Sequence, residues 1–190
     1  MDWGRLGYVG FSADIYGKGI VGGPSERNAQ LAGPFRENRT LFLEHLKASL
    51  DAIKNLDYVN DTQVAAIGYC FGGGGVLDMA RADLDFLGAV SIHGSYGKIP
   101  NSTFSGPIRA KVLVLHGYDD PVSPPDVTIG LCNELTERQA DWQLIAYSDT
   151  GHAFTNPKAH DNTPNSRYSE STDRRSWQAL RNFLKEIFQQ

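Results

Sequence analysis

Residues 64–79, VAAIGYCFGGGGVLDM, leave the chain few folds to choose from. A β-branched, apolar run enters the segment, a cluster of glycines interrupts it, and apolar residues resume at helical spacing, so it reads as a buried strand bending sharply into a helix. At the bend stands Gly68-Tyr69-Cys70-Phe71-Gly72, a G-x-C-x-G pattern. Glycines two before and two after the central residue give room where larger side chains would collide. The bend leaves Cys70 at a helix N-terminus, where unpaired N–H groups and the positive end of the dipole favour thiolate over thiol. The plainer alternatives are a buried structural cysteine in a glycine-rich turn, or a phosphate-cradling loop, although the GxxxxGKS/T pattern of the latter is missing.

Elsewhere, short apolar runs alternate with longer helical patterns, the mark of βαβ units and a mostly parallel sheet. Strands are expected at residues 8–15, 64–69, 89–93, 111–116 and 142–147. Leu43, Leu46, Leu50 and Ile53 share one helical face, and that helix is expected to cover the sheet. Leu77 and Ala80 mark a second helix. Val127, Leu131 and Leu135 mark a third, which begins after Pro124 and Pro125. Trp177, Leu180, Leu184 and Ile187 mark the last. Residues 158–171 are polar and aperiodic, a loop, and 190 residues fit one domain.

Two later loops supply partners for a nucleophile. The run at 111–116 ends in Gly117-Tyr118-Asp119-Asp120-Pro121, which places a carboxylate at the C-terminal edge of the sheet; Asp120, just before the proline, is preferred over Asp119. The run at 142–147 is followed by Gly151-His152-Ala153-Phe154, so an imidazole returns to the same edge. Taken singly, Asp-Pro is a common turn and a loop histidine is usually just solvated. Nucleophile, acid and histidine in that chain order make a stronger pattern, in which His152 holds or takes the Cys70 proton and Asp120 fixes its tautomer and stabilises the imidazolium. His45 is expected on a helix surface, His160 in solvent, and His93 and His116 at strand ends that line a pocket. Cys132 is expected to be a packed core thiol. Arg36 and Arg39 could hold a substrate carboxylate, against the plainer reading of surface arginines at a helix start.

A net charge of -4 gives no reason to expect a nucleic-acid partner. No apolar run approaches the roughly 18 residues of a membrane helix, and the start MDWGRLGYVGF lacks a basic n-region and cleavage site, so a cytoplasmic protein is expected. Cys70 and Cys132 form neither a CxxC pair nor a metal-ligand cluster, as suits a reducing compartment.

With GYVGFSADIYG, IGYCFGGGG, SIHG, KVLVLHGYDDPVSP, DWQLIAYSDTGHAFTNP and Asp173-Arg174-Arg175-Ser176-Trp177, nearly the whole chain resembles the dienelactone hydrolase family of α/β-hydrolases. The resemblance implies a three-layer α/β sheet, mostly parallel. It implies a hydrolase of small esters or lactones acting through Cys70, His152 and Asp120 and a thioester, with no metal or organic cofactor. The Phe71 N–H would serve the oxyanion hole, and Arg39, His93 and Phe154 are the candidates for touching substrate. In the family, further strands precede the one that residues 8–15 resemble. They include one that separates it from the strand at 64–69, a second oxyanion donor and a glutamate that holds the resting thiol. The fold is thus expected to be N-terminally truncated, the two strands closing up or a second copy in a homodimer filling the space. Loss of one oxyanion donor typically costs about 10²–10³ in turnover, which motivates a competing expectation, a catalytically weak or inactive hydrolase-fold binding or assembly module. A cysteine peptidase fits the order of the three residues less well.

Overall fold

The computed structural model describes residues 3–23, 25–100, 102–159 and 166–188. The chain divides into two compact units, Met1–Thr62 and Gln63–Gln190.

The first unit holds a 3-10 turn at Gly4–Leu6 and two helices, α1 (Ser25–Glu37) and α2 (Arg39–Lys54). Asn38 separates the helices and caps α2, its side chain accepting from the Leu41 N–H at 3.0 Å. The buried stripe of α2 is Phe42, Leu46, Leu50 and Ile53, one residue off the expected face, with Leu43 only half-buried. Phe42 replaces it because its ring meets Phe35 of α1 at 6.0 Å. Residues 8–15, expected as a strand, form none: they lie in no ladder, and Val9 and Phe11 are 56% and 47% exposed. Strand propensity needs a neighbour to accept its backbone groups, and without one the segment stays irregular, so the expected closing up of two strands does not occur. Its end is instead held by a side chain: His45 Nδ1 donates to the Ile15 carbonyl at 2.8 Å, which makes His45 a half-buried tie and not a solvated helix residue.

The second unit is built on four strands, β1 (Ala65–Tyr69), β2 (Gly88–Ile92), β3 (Lys111–Gly117) and β4 (Trp142–Tyr147). All pair parallel in the order β1-β2-β3-β4, with Gly68, Ser91, Val114 and Leu144 in one register row. Each lies within a residue of its expected ends. Between and after them run α3 (Phe71–Arg81), α4 (Pro125–Glu137) and α5 (Glu170–Ile187).

The glycines show which helix covers which face. A β-carbon on Gly88 would meet Ile187 and Phe183 of α5, whereas a β-carbon on Gly73 of α3 would stand 2.9 Å from the Ser91 hydroxyl. Gly88 and Ser91 point to opposite faces of β2, so α3 and α5 sandwich the sheet in three layers. α4 shares the α3 side: Arg81 Nη2 reaches Glu134 Oε2 at 2.9 Å, and both side chains are buried. β2 is buried along its whole length, as a strand covered on both faces must be. Cys132, expected in the core, is only half-buried on α4, with its thiol pushed up by burial.

Candidate active site

Cys70 sits where β1 ends and α3 begins. Its backbone is in the left-handed region, φ 51 and ψ -115, a conformation that costs a non-glycine residue roughly 1–3 kcal/mol. Hydrogen bonds hold it there: the Cys70 N–H donates to Ile92 O at 3.0 Å, and Cys70 O accepts from the Gly73 N–H at 3.0 Å. The bend requires Gly68, where a β-carbon would run into the carbonyl group of Gly72. Gly72, expected to be equally constrained, has open space around it. The tight second position is Gly73, where a β-carbon would lie 2.8 Å from the Gly94 Cα, so the start of α3 rests directly on the loop after β2. Phe71 is the first residue of α3.

The loop after β3 turns back at once, the Asp120 N–H donating to Gly117 O at 3.0 Å. The Asp120 carboxylate is 1% exposed; its Oδ1 accepts from the Val122 N–H at 2.8 Å, and its Oδ2 lies 2.8 Å from His152 Nδ1. Asp119 goes elsewhere, its N–H donating to Thr150 O at 3.0 Å. The other ring nitrogen of His152, Nε2, is 3.0 Å from Cys70 Sγ. The three residues expected to act together therefore form one hydrogen-bonded row, sulfur to imidazole to carboxylate. Burial alone would lower the pKa of His152, but its bonds to Asp120 and Cys70 outweigh that and push it up to about 9.

His93 and Phe154, expected to touch substrate, are 3% and 0% exposed and offer a ligand almost no surface. They stand behind His152 instead, the His93 ring 5.1 Å from that of His152 and 5.0 Å from that of Phe154. His116, expected to line a pocket, points into the core, its Nδ1 3.0 Å from the Tyr96 hydroxyl and its Nε2 3.3 Å from that of Thr128. Arg36 lies in the last turn of α1 and Arg39 opens α2, both in the first unit. His160 lies outside the described residues. A residue that sequence reasoning passed over is Thr155, whose hydroxyl is 2.8 Å from His93 Nε2; only its place three positions after His152 hinted at it. Among the described residues, no group of three or more His, Cys, Asp and Glu could hold a metal ion, and no helix is long and apolar enough to cross a membrane.

A parallel sheet between helices, with cysteine, aspartate and histidine following β1, β3 and β4 at one edge, defines an α/β-hydrolase fold. A dienelactone hydrolase family model matches residues 3–188: the chain belongs to the dienelactone hydrolase family, and is a hydrolase. Among solved structures, it superposes with a TM-score of 0.88 on a dienelactone hydrolase-like promiscuous phosphotriesterase from metagenomic libraries, at 30% identity over 97% of this chain and 77% of that one. It is 31% identical to an uncharacterized protein of Caenorhabditis elegans, over 75% of this chain and 92% of that one. It is 25% identical to a putative carboxymethylenebutenolidase of Synechocystis, over 79% of this chain and 65% of that one.

Proposed function

We propose that the protein hydrolyses small esters or lactones through Cys70, His152 and Asp120 by way of a thioester. His152, raised to about 9, already holds the thiol proton around neutrality, so the Cys70 thiolate attacks the acyl carbon while Asp120 steadies the imidazolium. The oxyanion that forms is met by the Phe71 N–H at the start of α3. Collapse expels the alcohol oxygen, which receives the proton from His152. Water, deprotonated by the same imidazole, then opens the thioester and returns the thiol. The observation that carries this reading is His152 spanning 3.0 Å to the sulfur and 2.8 Å to the carboxylate, a base within reach of its nucleophile and oriented by a third group. Lactones are included because a relative is described as a putative carboxymethylenebutenolidase.

The test is hydrolysis of a p-nitrophenyl ester and of a five-membered enol lactone by the wild type and by Cys70→Ala. Activity lost in the variant, with an acyl adduct on Cys70 in the wild type by mass spectrometry, supports the reading; equal activity in both refutes it. A phosphotriester arm belongs in the same assay, given the description of the solved relative. Turnover that needs Cys70 also excludes the competing reading of an inactive binding or assembly module.

A further inference from the structure

We propose that His93 is a positioning residue: its buried ring, wedged against His152 and Phe154 and tied to Thr155, keeps His152 turned toward Cys70. The inference rests on the reading above, in which the two residues act as a pair. His93 comes from a different loop, just past β2, and grips three residues within one stretch of the chain. Its ring lies 5.1 Å from His152 at an interplanar angle of 67° and 5.0 Å from Phe154 at 82°, and its Nε2 is 2.8 Å from the Thr155 hydroxyl. To reach that place its backbone takes a φ of 37, a left-handed conformation uncommon for a side chain of this size. The backbone is pinned there by the His93 N–H donating to Leu115 O at 2.9 Å.

The row of bonds through His152 does not by itself fix the ring. Rotation about the Cα–Cβ and Cβ–Cγ bonds of His152 would carry Nε2 off the sulfur and open the row. A second ring at a steep angle blocks that motion, and Phe154, fully buried, keeps the second ring from yielding. His93 Nδ1 is buried with no hydrogen-bond partner, which a structural core position would ordinarily avoid. Strain and an unmet polar atom beside a reactive pair are the pattern of a group kept for function.

The charges facing His93 explain how an imidazole is tolerated beside an imidazolium. Burial, then the charge of His152, hold His93 down to about 4, against the smaller opposing pulls of its own backbone and of Asp120. The Tyr69 ring, 5.9 Å away, is its neighbour from the end of β1, and Tyr69 itself is pushed up to about 12 by burial and Asp173. Around neutrality His93 is therefore an uncharged wedge, and the proton on His152 is set by burial against its bonds to Asp120 and Cys70.

The test uses iodoacetamide alkylation of Cys70 against pH, in a Cys132→Ser background, alongside ester turnover. His93→Gln keeps a polar side chain near Thr155 but removes the ring; His93→Phe keeps the ring and loses that bond. If the ring positions His152, kcat in His93→Gln falls about 10- to 100-fold with KM within about threefold. The basic limb of alkylation moves down from about 9 toward the ordinary 6.5 as His152 loses its fixed partners. His93→Phe stays within about fivefold of the starting kcat and keeps the basic limb. An unmoved limb in a folded His93→Gln, or a change carried by KM alone, overturns the proposal, the latter by making His93 a substrate contact. Failure of His93→Gln to fold leaves His93→Phe to decide, since a shifted limb there also refutes it. Alkylation reads the pair without substrate, so this result is separable from failure of the hydrolytic reading, which Cys70→Ala decides.

Discussion

The carbonyl oxygen of Gly151 stands 2.5 Å from where a β-carbon on Gly117 would sit. The end of β3 and the loop that carries His152 thus touch through bare backbone. The contact is reinforced by the Tyr118 N–H donating to Tyr147 O at 2.9 Å. It sets the spacing that lets Asp120 reach His152. Gly117→Ala would force the two loops apart, at a cost of about 1–3 kcal/mol, or roughly 2–12 °C in Tm for a chain of this size. Ester turnover should fall more than about tenfold at temperatures where the variant is still folded, because the Asp120–His152 bond opens. Thermal unfolding followed by circular dichroism, with kinetics on the same sample, checks both; an unchanged Tm would contradict the close approach.

Asp120→Asn tests the carboxylate separately from its shape. The amide can still accept from the Val122 N–H, but its NH2 faces His152 Nδ1 and favours the tautomer with the proton on Nε2, which cannot take one from Cys70. A loss of about 10³–10⁴ in kcat is expected, with little change in KM or in the circular dichroism spectrum. His152 should also lose much of its upward shift, visible by NMR as titration nearer 6.5 than about 9. Wild-type turnover in this variant would mean that the carboxylate plays no part.

The two edge-to-face histidines give stability opposite slopes with pH. His152 is raised in the folded state, so its contribution is complete below 6.5 and is lost as pH climbs through about 9. His93 is lowered, so the unfolded chain takes that proton first; its contribution is present above 6.5 and is lost as pH falls to about 4. In a Cys70→Ala background, where ionisation of the thiol does not intrude and Asp120 still raises His152, urea midpoints should drop on both sides of neutrality. Adding His93→Phe should flatten the acid side and adding His152→Gln the basic side. A variant that flattens the opposite limb would reverse the assignment.

What could be read from the chain was whatever leaves a local mark. Gly68 is required by a collision four residues away, and strand, bend and helix around Cys70 all lie within residues 64–79, so the elbow was legible. Asp120 and His152 were legible because each follows a strong strand and a glycine at the same edge. Residues 8–15 misled because Tyr8, Val9, Phe11 and Ile15 have strand character but no ladder to join, and propensity does not say whether a neighbour exists. His116 and His93 misled for another reason: the partners that decide their roles, Tyr96 and Thr155, lie 20 and 62 positions along the chain. Spacing alone cannot show a side chain turning inward to meet such a partner. Gly72 shows the converse, a residue that fits the motif although nothing crowds it.

The buried charges behind the elbow offer the last prediction. Arg81, at the end of α3, donates from Nη1 to Asp78 Oδ1 at 3.2 Å and from Nη2 to Glu134 Oε2 at 2.9 Å, and also to the carbonyls of Tyr96 and Gly97. All three side chains are nearly inaccessible, so removing one charge strands another in a medium that solvates it poorly. Glu134→Leu should cost about 3–5 kcal/mol, whereas Glu134→Gln, which keeps an acceptor and leaves Asp78 to balance the guanidinium, should cost clearly less. Because the cluster holds α3 at the end opposite Cys70, kcat should stay within about threefold of the wild type in whichever variant remains folded. Urea unfolding at neutral pH, with turnover measured well below the transition, separates the two effects. Equal stability of Glu134→Leu and wild type would show that the ion cluster does not anchor the helix that presents the nucleophile.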